Sequence, residues 1–310
     1  MFERILVPLD GSQSGEVVLR FLRRLPLQAG ARILLARVVE PGPKDPGPGF
    51  VEESLEFAAS YLRDVAEGLR RAEVVVETTA RYGRVAETLV SVATEERVSL
   101  IALATHGRTA SADLPFGGVA DQLLRTSPVP MLAVPSLSRP AFGVGAGTTG
   151  LPVRTLLVTT DGSDCGNAIF PVAARLAAAG GISVILLQLS PERGRASGTF
   201  RRRADVEEHL ERAARTFRRK GIPTESVTGR ASPARGILDV AERRKVDLIA
   251  MSTHGESRRR VAAVGSVTRE VLHQGGIPVL VTRVSPVASR VQRPGRAARA
   301  HKSGSGHRSS

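Results

Sequence analysis

The sequence predicts an α/β protein in which one unit occurs twice: two tandem, doubly wound, open parallel sheets of five strands, with about four helices each. Three observations predict it. The run Ile5-Leu6-Val7-Pro8-Leu9-Asp10-Gly11-Ser12 returns as Leu156-Leu157-Val158-Thr159-Thr160-Asp161-Gly162-Ser163. Short continuous apolar runs alternate with segments of helical period, the mark of βα units feeding a parallel sheet. The spacing between copies is nearly constant, 151 residues between Asp10 and Asp161 and 148 between His106 and His254. An offset of that size means duplication of a whole domain, not of a short solenoid repeat.

Taken in order, the first copy places strands at 5–9, 32–39, 73–79, 99–104 and 130–134. After the second strand comes a Pro/Gly-rich loop, Pro41 to Gly49. Val51, Leu55, Ala58, Leu62, Val65 and Leu69 then recur at three and four residues and form one apolar helix stripe. In the second copy Val206, Leu210, Ala213 and Phe217 do the same. The clusters Arg201–Arg203 and Arg218–Lys220 bracket that helix and read as a solvated face and a helix end. Strands ending in Thr105-His106-Gly107 and Thr253-His254-Gly255 lead to closing strands at Met131–Val134 and Ile277–Val281. Domains are expected at 1–135 and 153–285. Residues 136–152, rich in Gly and Pro without periodicity, are expected to link them. The stretch 286–310 has too little apolar surface to offset chain entropy and is expected to be disordered.

The 310 residues, 42% hydrophobic, suffice for two domains with their own cores. Cys165, the single cysteine, has no disulfide partner and no His or Cys at metal-ligand spacing, which fits a reducing interior. The opening Glu3-Arg4 followed by Ile5 to Leu9 lacks the plan of an export signal, so a cytoplasmic location is expected. Apolar runs such as Val184–Leu187 fall far short of the roughly 20 residues that span a bilayer, so no membrane partner is expected. The net charge of +14 is unevenly held. Residues 1–135 carry 15 Lys/Arg against 17 Asp/Glu, residues 153–285 carry 22 against 13, and the last 25 carry 6 against none. A fold that grips nucleic acid would carry its basic face in both main domains, so that partner is disfavoured.

Open parallel sheets bind ligands beyond the carboxyl ends of their strands. After strand one, Asp10 or Asp161 stands ready to accept hydrogen bonds from a ribose or an adenine edge, or to help hold a divalent ion. The alternative is a turn in which Asp and Ser cap the next helix. After strand four, nine residues separate Gly107 from Gly117-Gly118-Val119, and Gly255 from Gly265-Ser266-Val267, each opening a short helix. Backbone N–H groups at a helix start favour phosphate. Neither a GxxxxGK[ST] loop nor a GxGxxG fingerprint is present. His106 and His254 have no Cys, Asp or Glu at triad or metal spacing and read as turn residues. No paired carboxylates, nucleophile elbow or metal cluster point to a defined reaction.

These residues together resemble the universal stress protein family, over nearly 1–285 in two copies. The resemblance implies an adenine-nucleotide α-hydrolase-like fold that binds ATP or AMP, with Mg²⁺ entering alongside the nucleotide. ATP-binding members show glycine, two residues, glycine, nine residues, glycine, then Ser or Thr. The second copy reads Ser252, Gly255, Gly265, Ser266 and departs at one position; the first reads Ala104, Gly107, Gly117, Gly118 and departs at two. The resemblance therefore implies the second copy as the principal site. It also implies Val38 and Leu189 beside the adenine, with Asp10 and Asp161 near ribose and base. Glu256 beside Gly255 would oppose phosphate by about 1 to 4 kcal/mol at ~4 Å; Arg258–Arg260 read equally as an offset to it or as a solvated loop.

Three classes of function follow: a nucleotide-binding stress-response regulator with a protein partner, a scaffold of the same fold without ligand, and a basic nucleic-acid-associated protein. The closing strands are expected to pair as sheet edges, within the chain as a pseudo-dimer or between chains as a homodimer.

Overall fold

A computed structural model describes residues 2–42, 47–69, 74–105, 117–136, 151–190, 203–253 and 264–283. The expected linker and tail lie almost wholly outside the described residues. In the first half the order is β1 (Arg4–Pro8), α1 (Val17–Leu22), β2 (Arg32–Val39), α2 (Pro48–Leu69), β3 (Val75–Tyr82), α3 (Val85–Glu95), β4 (Leu100–Ala104), α4 (Gly118–Thr126) and β5 (Met131–Val134). The second half follows with β6 (Thr155–Thr159), α5 (Asp164–Asn167), α6 (Phe170–Gly180), β7 (Ser183–Ser190), α7 (Arg203–Arg218), β8 (Thr224–Arg230), α8 (Pro233–Arg243), β9 (Leu248–Ser252), α9 (Ser266–Gln274) and β10 (Val279–Thr282).

Two elements differ from the sequence expectation, each for a visible reason. β3 runs to Tyr82 instead of ending at Thr79, paired with β2 in register from Arg32↔Val75 to Val39↔Tyr82. It is an edge strand without one fully buried residue, so backbone pairing sets its length and the apolar pattern does not. The helix after β6 breaks into α5 and α6, with Pro171 in the first turn of α6. Proline lacks the N–H that would continue the ladder.

Each half has strand order 3-2-1-4-5, the doubly wound arrangement, but the two sheets are continuous. The full order is β3-β2-β1-β4-β5-β10-β9-β6-β7-β8. All pairings are parallel except the seam, where β5 and β10 run antiparallel with Val279↔Ala133, Leu280↔Leu132 and Val281↔Met131. β5 is paired with β4 and β10, and β10 with β5 and β9. Neither closing strand keeps an open side for a second chain, which removes the homodimer expected through them. Strand alternation carries two cores across the seam. Ile5, Val7, Leu132, Val134, Leu156 and Leu280 face one layer with Phe21, Leu62, Leu176 and Phe217. Leu6, Met131, Ala133, Leu157 and Val279 face the other with Leu89, Leu123, Ile237 and Val271.

Polar contacts also tie the halves together. Arg24, at 9% exposure, donates from Nη2 to Asp247 Oδ1 at 2.6 Å and from Nε to the Leu151 carbonyl at 2.8 Å. The second oxygen of Asp247 accepts from the Arg154 and Thr155 amides at 2.9 and 3.1 Å. On the opposite layer Arg269 of α9 reaches Asp121 of α4 at 3.6 Å. Among the described residues no helix is long and apolar enough to cross a membrane.

Candidate functional site

In each half the strand order reverses between β1 and β4, or between β6 and β9, because one connection leaves to each side of the first strand. Loops diverge there and open a crevice at the carboxyl ends. The turn after β1 is pinned in a way that explains its residue types. Gly11 has φ +85°, a left-handed conformation that glycine adopts without strain. Asp10 Oδ1 accepts from the Ser12 amide at 3.0 Å and from Ser12 Oγ at 2.6 Å, and Ser12 Oγ accepts from the Gly15 amide at 3.0 Å. The turn after β6 repeats it: Gly162 φ +83°, Asp161 Oδ1 to Ser163 at 3.0 and 2.6 Å, Ser163 Oγ to the Gly166 amide at 2.9 Å. Both carboxylates thus brace the turn through the serine two residues on; of the capping read from the sequence, Ser163 caps α5, whereas α1 begins only at Val17, behind Glu16, without a side-chain cap. A Cβ at Gly15 would stand 2.8 Å from Asp10 Oδ1, and one at Gly166 would overlap Asp161 Oδ1. The sequence reading passed over these two glycines, although both lie five residues after the aspartate.

At the other side of each crevice the loop ends are fixed alike. Gly117 donates its amide to the Thr105 carbonyl at 3.0 Å, and Gly265 to that of Thr253 at 2.8 Å. Each glycine is the N-cap of a nine-residue helix, α4 or α9. The helix starts therefore sit against the ends of β4 and β9. Gly118 is exposed, Val119 half-buried, Ser266 exposed and Val267 half-buried. Ser252 is buried, its Oγ donating to the Gly166 carbonyl at 3.1 Å, while its own carbonyl accepts from Thr268 Oγ1 at 3.1 Å. That hydroxyl ties β9 to the β6 turn. Gly107, Gly255, both Thr-His-Gly histidines, Glu256 and Arg258–Arg260 lie outside the described residues.

In the first half these parts surround a cavity of about 710 Å³. Asp10, Val38, Gly117, Gly118 and Val119, all singled out from sequence, line it together with Arg37, Phe50, Phe57, Val85, Leu89 and Thr105. The aromatic and arginine members were not foreseen. Their signal was present: Phe50 and Phe57 are bulky apolar residues off the core stripe of α2. Arg37 lies across that helix, its guanidinium 5.6 Å from the centre of the Phe57 ring and 5.1 Å from that of Tyr61. The Tyr61 hydroxyl donates to Glu16 at 2.8 Å. Burial, that bond and the negative charge of Glu16 and Asp10 push its pKa above the usual phenol range, with Arg37 opposing.

The second half fills the corresponding positions differently. Leu189, the counterpart of Val38 at the 151-residue offset, packs against two glycines: its Cδ1 lies 2.6 Å from where a Cβ of Gly236 would be, and its Cδ2 3.2 Å from that of Gly229. Gln188 replaces Arg37 and is buried. Asn167 replaces Glu16 and His209 replaces Tyr61, and they keep the contact, His209 Nε2 to Asn167 Oδ1 at 3.3 Å. Thr160 Oγ1 donates to the same oxygen at 2.7 Å. Burial and Arg212 hold the His209 pKa below its ordinary 6.5, against the pull of Asp161. Among the described residues no group of three or more His, Cys, Asp or Glu is placed to hold a metal.

A model of the universal stress protein family matches residues 1–135 and again 152–283. A universal stress protein of Mycobacterium tuberculosis is 22% identical over 90% of this chain and 95% of its own. One from Thermus aquaticus is 30% identical over 43% of this chain and 99% of its own. Among solved structures, a universal stress protein from Archaeoglobus fulgidus superposes with TM-score 0.72 at 19% identity, covering 91% of this chain and 99% of that one. With the family matched once in each half, and with the fold of a solved member, the chain belongs to the universal stress protein family.

Proposed function

We propose that the chain binds an adenine nucleotide at its strand-order reversal and acts as a ligand-responsive regulator in the stress response, with no more than slow ATP hydrolysis. The observation that carries this reading is the first-half cavity of about 710 Å³, inside the range of small-molecule sites. Its chemistry suits the ligand. Val38, Val85, Leu89 and Leu103 offer apolar surface to a base, and Asp10 offers acceptor oxygens to ribose hydroxyls or an amino group. Gly117, Gly118 and Val119 bring in the start of α4, where first-turn N–H groups lack intrahelical acceptors and the dipole favours phosphate. Arg37 counters the charge that Asp10, Glu40 and Glu53 bring to the same cavity. Mg²⁺ enters with the nucleotide, held largely by the phosphates and their waters, as this ion usually is.

A second reading, favoured by glycine spacing and by the exposed Ser266 on the first turn of α9, makes the second half the principal site. Calorimetric titration of ATP with Mg²⁺ separates the two. Gly118→Asp meets nothing within 4 Å and should fold while repelling phosphate. Asp10→Ala and Gly118→Asp are expected to weaken binding tenfold or more, on the order of a charge-assisted contact each. Losses confined to Asp161→Ala and Gly265→Asp would move the site to the second half. Absence of heat and of thermal stabilisation at millimolar ATP would overturn nucleotide binding and leave the scaffold reading.

A further inference from the structure

We infer that Phe50 and Phe57 of α2 are the second wall of a base site, covering the face of a purine ring opposite Val38, and that among the described residues this wall has no counterpart in the second half. The inference rests on the nucleotide reading above and adds to it the residues that select a planar ring. Phe50 and Phe57 are 57% and 69% exposed, the two most exposed phenylalanines among the described residues. They stand seven residues apart, within about 20° of each other around the helix at ~100° per residue. The buried residues of α2, Ala58, Leu62 and Ala66, point about 80° to 180° away from them on the same geometry. These rings are therefore not core residues with one edge showing. They belong to a flank of α2 that faces the cavity, where both are lining residues beside Asp10 and Val38.

A large exposed apolar surface on the rim of a concave polar site calls for an occupant, and the surroundings specify its chemistry. Arg37 is held in cation–π contact with Phe57 and Tyr61, close enough to the Asp10 turn that a Cβ on Gly11 would be 3.2 Å from its Nη1. That contact biases the Phe57 ring toward the cavity side, so stacking needs less further ordering of the side chain. A flat ring with a π face meets the aromatic pair, an attached sugar meets Asp10, and an anionic tail meets the start of α4. Purine nucleotides have that order of groups. Among the described residues the second half has no such wall. The 148-residue offset that aligns Leu62 with Leu210 puts Asp205 opposite Phe57, and the 151-residue offset puts Gln188 opposite Arg37.

The test titrates ATP, adenosine and inorganic tripolyphosphate separately into the full chain and into Phe57→Ala, Phe57→Tyr, the Phe50→Ala/Phe57→Ala double variant and Asp10→Ala. Circular dichroism melts confirm folding, which exposed rings should not disturb. Phe57→Ala is expected to weaken ATP and adenosine roughly 5- to 100-fold, the range of a lost base–aromatic stack. Tripolyphosphate should be unaffected, and Phe57→Tyr should restore ATP binding to within about twofold, since the ring is kept. ATP and adenosine affinities unchanged in the double variant, with binding still lost in Asp10→Ala, would overturn the aromatic wall and leave the nucleotide reading standing. Failure of the unaltered chain to bind ATP or adenosine would overturn both. A change in sedimentation of the double variant at constant nucleotide affinity would assign the rings to contact between chains, and the inference would fall.

Discussion

The two switch points are made from the same parts in the same order, yet their walls, among the described residues, are built from different side chains. In the first half Val38 borders a cavity and Arg37 lies across an aromatic helix face. In the second, Leu189 sinks into a slot left by Gly229 and Gly236, and Thr160, Asn167 and His209 make a polar cluster beside the turn. The turns themselves are superimposable in their bonding, down to the same 3.0 and 2.6 Å contacts. Duplication has thus kept the backbone device and changed the walls. The motif that locates a crevice consequently says little about the walls around it.

The largest expected effect tests whether two unlike sites still share one folding unit. Asp247→Ala strands the buried Arg24 and removes an acceptor from two amides. It should cost about 3 kcal/mol or more, as breaking a buried pair does. A single calorimetric unfolding transition, shifted down as a whole, is expected; two transitions would show that the halves melt separately. Next in size, Gly166→Ala should destabilise by about 1–3 kcal/mol through overpacking against Asp161, and Gly15→Ala by less, because its Cβ would stand farther from Asp10. Paired chemical denaturation curves measure the difference, and equal losses would break the contrast between a tight second turn and a looser first one.

Leu189→Ala removes the side chain that occupies the second slot. Calorimetry is expected to show ATP stoichiometry rising from one toward two per chain, with the first-half affinity unchanged. The smallest effect is a matter of pH. Burial and Arg212 hold His209 below its ordinary 6.5, so between its folded and unfolded values the unfolded chain binds more protons. Stability from this group is full above 6.5 and is lost as the pH falls through the lowered value. Melting temperature should therefore drop on acidification in the native chain and drop less in His209→Gln.

Much of this architecture was legible because apolar runs and helix stripes repeat at fixed offsets, as in β2 at 32–39 and the Val206, Leu210 and Phe217 positions of α7. β3 was misjudged in length because an edge strand buries nothing fully, and hydrophobic pattern cannot mark where backbone pairing stops. The Asp-Gly-Ser turns were legible because Asp, Gly and Ser together are strong turn formers, the Asp side chain bonding back to the backbone two residues on. Arg37 was not: its role depends on crossing from β2 to the rings of α2, a contact between elements that no local pattern encodes. Leu189 was placed correctly along its strand, but whether it borders a space or fills one is decided by Gly229 and Gly236, some 40 and 47 positions away.

The antiparallel seam between β5 and β10 sets how the two sites are inherited. When such a pair forms from two identical chains, every substitution appears in both sites at once, and neither can change its ligand without the other. Here the pair is written in one chain, its partner is present at a high effective concentration whatever the abundance of the protein, and the ratio of the two sites is fixed at one to one. A substitution such as Phe57 against Asp205 can then be made in one site and not the other. The seam is what allows two once-equivalent switch points to drift apart while remaining in one continuous sheet.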